Sequence, residues 1–374
     1  MTFRENVNAI LHYENYDAMP VVAFGYWNET LDKWAAEGHI TKEEADGYRR
    51  YSDNSEADFS IMHKLGFDFN WNATAGCNVG LLPAFERKVL KEHPDGSLTV
   101  RDSQGLIVLE KPGIVSIPSE IGTSLTGRDV WEKEYLPKLQ WNNERVDQKL
   151  FASLSDTTNR EYPIGLHCGS LFGNIRNMLG VEELSYLYAD DEELFGEIID
   201  TVADLSYRGV EEVLKTGAKF DYAHFWEDIC FKNGPLVSPK VFEAYVGPHY
   251  KRITDLLKQY GVDIVSLDCD GWIDLLLPIW LKNGVNTMFP IEVGTWDASI
   301  APWREKYGKE LRGVGGMNKN VFSADYAAVD KEIERLKALI DLGGYIPCPD
   351  HRIAPDAKFE NVQYYCEKLR TAIK

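Results

Sequence analysis

From about residue 162 the chain repeats one pattern six times: a short apolar run, a polar loop, then an amphipathic helix. The runs are PIGLHC (163–168), FDYAHFW (220–226), DIVSLDC (263–269), VNTMFPIE (285–292), ELRGVGG (310–316) and GGYIPC (343–348). Apolar runs this short, each leading into a helix, are strands of a parallel sheet covered on both faces. VVAFG (21–25) and FDFNW (67–71) bring the count to about eight, the number a closed barrel needs. A doubly wound open sheet is the competing topology. It is disfavoured because GVGG at 313–316 lacks the spacing and position of a dinucleotide-binding turn. The expected class is therefore α/β, a (β/α)8 TIM barrel with an N-terminal helical and hairpin elaboration. It forms a single domain over 1–374, with 1–160 the elaborated part and 161–374 the regular βα repeats.

Within the first part, TKEEADGYRRY (41–51) reads as a helix. FERKVLKEHPDGSLTVRDSQGLIVLEKPG (85–113) reads as an antiparallel hairpin element with turns at the PDG and near Ser103-Gln104-Gly105. The formal net charge of −19 repels phosphate backbones and anionic lipid, so neither nucleic acid nor a membrane is an expected partner. The apolar run IDLLLPIWL (273–281) is too short to span a bilayer, and no signal peptide is visible. Six cysteines at 77, 168, 230, 269, 348 and 366 form no CxxC pair, which suits free thiols in a cytoplasmic protein.

In parallel barrels chemistry gathers where strands end. The residues there are His167 and Cys168; His224, Glu227 and Asp228; Asp268, Cys269 and Asp270; Glu292; Asn318 and Lys319; and Cys348, Asp350, His351 and Arg352. Asp268 follows IVSL directly and is expected to be buried, where an unpaired carboxylate is costly. Asp268 and Asp270 stand two apart and face one side of the strand. Two like charges there call for a cation or a shared proton, although Asp270 can also serve only as a helix cap. His351 lies across the same barrel mouth. Glu227 is open to three roles: a further ligand, a general base, or the partner of a buried arginine. Cys348 is either a ligand or strand-end packing. Arg352 either grips a substrate carboxylate or pairs with a neighbouring aspartate. His167 and His224 are expected to line or support the pocket, and Lys319 is either a substrate contact or a solvated loop residue.

Several segments resemble the uroporphyrinogen decarboxylase and corrinoid methyltransferase superfamily. CFKNGPLVSPKVFEAYVGPHYKRI, PIEVGTWD, GVGGMNKNVF and GGYIPCPDHRIAPDAKFENV follow its motifs in order over roughly residues 160–374. The resemblance implies a (β/α)8 barrel. True uroporphyrinogen decarboxylases carry an N-terminal arginine motif that grips the substrate carboxylates. The comparable stretch here, MPVVAFGYWNET, contains no arginine. The methyltransferase branch places zinc on a His-x-Cys pair after the fifth strand and on a closing-loop Cys. In this sequence those positions align with Asp268, Asp270 and His351, with Cys348 nearby and Glu227 or Cys348 as the possible fourth ligand.

That resemblance implies a metal-dependent methyltransferase. It would move a methyl group from a small O-methyl donor, methoxyaromatics among the candidates, to a corrinoid carried by a partner protein. The metal would be a divalent ion, zinc first, although the oxygen-rich set also suits manganese or iron. Arg352, Glu292 and Lys319 are the expected substrate contacts, and Phe24, Tyr26, Trp27, Phe69 and Trp71 the walls for an arene. A homodimer is one assembly this reading allows. The alternative is a cofactor-free decarboxylase or lyase, with Asp268 or Asp270 as proton donor and Arg352 holding a carboxylate. A non-catalytic tetrapyrrole carrier is disfavoured by the absence of a DxHxxG corrinoid motif.

Overall fold

The computed structural model describes residues 1–111 and 118–373. The barrel strands are β1 (Val22–Ala23), β2 (Phe69–Asn70, resuming at Thr74–Ala75), β3 (Gly165–His167), β4 (Tyr222–Trp226), β5 (Val265–Asp268), β6 (Thr287–Phe289), β7 (Arg312–Met317) and β8 (Tyr345–Pro349). All pair in parallel. From the second half of β2 to β8 they form one seven-stranded sheet in chain order. The first half of β2 pairs with β1, in the register Val22 to Phe69. The ring closes through a bridge between Tyr26 and Ile353, where Trp27 N–H donates to the Ile353 carbonyl at 3.1 Å. The eight-stranded expectation therefore holds, with β2 interrupted over residues 71–73.

Strand burial explains the apolar runs. Every residue of β5, β6 and β8 is buried. Inside the barrel Trp71 stacks on Tyr222 with ring centroids 4.3 Å apart, and its indole N–H donates to Ser266 Oγ. Outside, the helix Glu192–Lys215 buries twelve side chains or backbone positions along one face, as its 3.6-residue periodicity demands. After Ser238 the chain forms two helices, Pro239–Tyr245 and Gly247–Gln259. Pro248 has no N–H to continue the first helix, so a new one starts at that point. The N-terminal helix Phe3–Leu11 closes the opposite end of the barrel. Arg4 pairs there with Asp221 ahead of β4 at 2.6 Å, and Arg312 at the start of β7 donates to the Leu11 carbonyl.

The helix expected at 41–51 spans Lys42–Tyr51, with Thr41 and Glu44 forming a reciprocal cap. The hairpin element is a four-stranded antiparallel sheet, Lys88–Glu92, Leu98–Arg101, Leu106–Glu110 and Ser119–Thr123, with a small core of Val100, Leu106 and Val108. Residues 112 and 113 of that expected element lie outside the described residues. Among the described residues no helix is long and apolar enough to cross a membrane.

Candidate functional site

A cavity of about 470 Å³ opens at the C-terminal ends of the strands. Its acidic wall is Asp228, Asp268 and Asp270, and its aromatic wall is Phe24, Trp27 and Trp226. His167 and His224 form the floor, and His351, Arg352 and Asp53 sit at the rim.

The last residue of β5 is Asp268. It is 7% exposed, and no donor among the described residues reaches its carboxylate. Burial, and then the charges of Asp228 and Asp270, hold its carboxyl well above the usual carboxylate range. Asp270 follows in the loop. Its N–H donates to Asp228 Oδ1 at 3.1 Å, and its Oδ2 lies 3.2 Å from His351 Nε2. Its Oδ1 is buried without a partner, as is His351 Nδ1. Gly271 turns the chain away with φ +88°. A Cβ there would stand 2.4 Å from the Cys230 carbonyl oxygen, so only glycine fits. The Gly271 N–H donates to Glu292 Oε2 at 2.5 Å, which draws Glu292 toward Asp270. Burial and Asp270 raise the Glu292 carboxyl, and burial and Asp270 push Asp228 up to about 7.

These groups form two clusters whose ligand atoms all lie within 4.8 Å of one another: Asp270, Glu292 and His351, and Asp228, Asp268 and Asp270. The set expected from sequence, Asp268, Asp270 and His351, is thus divided between them, with Asp270 common to both. The donors fit a divalent cation. They are anionic or imidazole, they include orphaned buried atoms, and no lysine or arginine pairs with them among the described residues.

His351 is held in place by aromatic neighbours. Trp27 stacks on its ring at 5.4 Å and 21°, and Phe24 meets it edge-on at 5.7 Å. Such support fixes the plane of a ligating imidazole. His224 lies 3.2 Å from Ser266 Oγ, and its ring centre is 6.4 Å from that of His167. Burial lowers His167 to about 4. Burial and the neighbouring His167 lower His224 to about 3, so both are neutral at neutral pH.

Several expected residues do not reach the cavity. Glu227 turns into the protein, where it accepts hydrogen bonds from Ser170 Oγ, the N–H groups of Leu171, Phe172 and Gly173, and Tyr250 OH. It caps the helix Gly173–Leu179 and is neither a ligand nor a base facing the cavity. Cys348 is fully buried within β8 and belongs to neither cluster, and burial raises its thiol well above the ordinary range. Lys319 Nζ donates to the Arg352 carbonyl at 3.0 Å instead of pointing at a substrate. Tyr26 is buried edge-on against Trp34 and Tyr48. Arg352 does line the cavity, but Asp53 holds its guanidinium through two hydrogen bonds, at 2.6 and 3.2 Å, and Tyr48 OH accepts a third.

Two acidic residues of the cavity, Asp228 and Asp53, had no role expected from the sequence. Asp228 had a signal, since it stands two residues beyond β4, as Asp270 stands two beyond β5. Its φ of +48° marks a backbone held in a costly conformation. Asp53 had none, because no strand precedes its loop.

No curated protein sequence matches the chain. A methyltransferase from Methanosarcina mazei shares its fold with a TM-score of 0.61 at 14% identity, over 100% of this chain and 99% of that one. A B12-independent methionine synthase from Shewanella sp. W3-18-1, in complex with selenomethionine, gives a TM-score of 0.50 at 12% identity, over 95% of this chain and 99% of that one. These likenesses extend the barrel comparison over the elaborated N-terminal part as well as the repeats. Residues 144–372, well over half of the chain, match the uroporphyrinogen decarboxylase (URO-D) family, and the protein belongs to that family.

Proposed function

We propose that the protein is a metal-dependent methyltransferase that takes a methyl group from a small O-methyl donor, methoxyarenes included, and delivers it to a corrinoid on a partner protein. The observation that carries this reading is the carboxylate and imidazole cluster beside an aromatic-walled cavity, with Asp270 Oδ1 and His351 Nδ1 buried and unpartnered. The end-to-end likeness in fold to a methyltransferase supports it. Asp270, Glu292 and His351 would hold the metal, with zinc the first candidate for a mixed nitrogen and oxygen set. A cation held there supplies Lewis-acid polarisation of a substrate oxygen.

The chain's own residues do the rest. Trp27 and Phe24 fix the His351 ring. Phe24, Trp27 and Trp226 offer apolar surface to a flat donor and exclude water from its methyl group. His167 and His224, neutral, offer hydrogen bonds at the floor without adding charge. A substrate with many carboxylates is poorly served. The cavity lining contributes one guanidinium, Arg352, and Asp53 already binds it.

The test is metal analysis of gently purified protein, followed by methylation of reduced cobalamin from a panel of methoxyarenes and simple methyl ethers. The expected result is bound zinc or a related metal, with transfer abolished by chelation and restored by adding the metal back. Metal below about a tenth of an equivalent, with no rescue by added zinc, overturns the reading. The raised carboxyl of Asp268 favours one second reading, a cofactor-free decarboxylase or lyase in which Asp268 donates a proton. That enzyme would release CO2 from an acid substrate at an unchanged rate in chelator.

A further inference from the structure

We infer that the centre holds two divalent cations side by side, bridged by Asp270: one on Asp270, Glu292 and His351, the other on Asp228, Asp268 and Asp270. The inference rests on the metal assigned above but not on the reaction assigned to it.

Geometry gives the first argument. Each triad places its ligand atoms within 4.8 Å of one another, and Asp270 alone belongs to both. Its two oxygens are used differently. Oδ2 faces His351 Nε2 at 3.2 Å, while Oδ1 is buried with no partner. A carboxylate carries lone pairs on both oxygens, so one side chain can serve two ions at once. Bridged pairs of this kind stand about 3.5–4 Å apart.

Asp268 gives the second. More than nine-tenths of it is buried, it lines the cavity, and no donor among the described residues meets its carboxylate. The first triad does not include it, so a cation on Glu292 and His351 leaves it unanswered. A position shared with Asp228 and Asp270 answers it.

Charge gives the third. Asp228, Asp268, Asp270 and Glu292 bring four carboxylates together. No lysine or arginine among the described residues pairs with any of the four: Arg352 is taken by Asp53, Lys319 Nζ donates to the Arg352 carbonyl, and Arg176 acts on Asp228 only from a distance. One divalent ion balances two of the four charges, and a second balances the others. The two positions differ in kind. The one with His351 suits zinc or iron, and the all-oxygen one suits magnesium or manganese.

The experiment titrates chelator-treated protein with Mn2+ and counts bound metal after desalting, with electron paramagnetic resonance on the same samples. The expected result is two equivalents and an exchange-coupled signal. Asp228→Asn and Glu292→Gln should each bind one equivalent and show an isolated six-line spectrum. One equivalent in the unaltered protein, uncoupled, overturns the inference and leaves the proposed function standing. No bound metal overturns both. Circular dichroism melts of the two variants show whether each is folded. If one fails to fold, the stoichiometry and coupling of the unaltered protein still decide.

Discussion

Glu227 sits one residue past β4, where a catalytic group would be expected, yet its work is structural. Three backbone N–H groups, Ser170 and Tyr250 all donate to it in a fully buried setting. Glu227→Ala removes the acceptor and strands those donors. It should cost about 3–5 kcal/mol, read as a lower urea midpoint, while metal bound per folded molecule stays the same. Asp58 supplies a pH-dependent counterpart. It is fully buried, it accepts from Asn54 N–H and Asn70 Nδ2, and burial and Asp53 push its carboxyl up to about 7. Its folded pKa lies above its unfolded one, so the folded state holds the extra proton. The stability this adds is full below about pH 4 and is lost as pH rises toward about 7. Asp58→Asn keeps an acceptor and removes the titration. Subtracting its unfolding free energy from that of the unaltered protein across pH 4–8 should leave a downward slope worth a few kcal/mol at most, about 4 as an upper bound. A flat difference would show that Asp58 stays ionised in the fold.

At the scale of elements, the strands from β3 onward were legible because each is buried on both faces and so is written as an unbroken apolar run. β2 was only half legible. Its interruption at 71–73 is set by Trp71 turning inward onto Tyr222, a tertiary event with no local signature. The helix break at Gly247-Pro248 was written in the sequence and is a matter of proline chemistry. Asp268, Asp270 and His351 were legible at the site because strand parity and chain order put them at one mouth. Cys348 was not, since a thiol at a strand end reads the same whether it faces a cavity or packs. Asp53 was not, because it arrives on a loop joining two helices of the elaboration. The loop after β5 joins both scales. Gly271→Ala sets a Cβ against the Cys230 carbonyl at a positive φ, and the strain falls on the residue beside Asp270. A loss of about 2 kcal/mol or more in stability is expected, together with weaker metal binding. Thermal melts with and without zinc check both, since the gain in melting temperature on adding zinc should shrink.

On the scale of the whole molecule, charge decides which small molecules the cavity favours. The chain carries a formal −19, and the cavity concentrates that sign in its acidic wall. Bound metal would neutralise the wall without making it attractive to anions. Arg352 is the guanidinium a substrate carboxylate would seek, but Asp53 grips it in the bidentate geometry such a substrate would use. Asp53 in turn is fixed by Tyr48 OH at 2.7 Å and Asn70 Nδ2 at 3.1 Å, so it does not swing aside without breaking a network. Under the proposed function, the protein should therefore prefer neutral methyl donors to carboxylated ones of the same size. In calorimetric titrations methoxybenzene should bind more tightly than 4-methoxybenzoate. Asp53→Asn removes the competing charge and leaves Arg352 at the rim. The order should then reverse, with 4-methoxybenzoate gaining roughly tenfold, about 1.4 kcal/mol, and gaining more at low salt than at high. Tighter binding of the carboxylated donor to the unaltered protein would mean that the substrate displaces Asp53, and that Arg352 binds substrate after all.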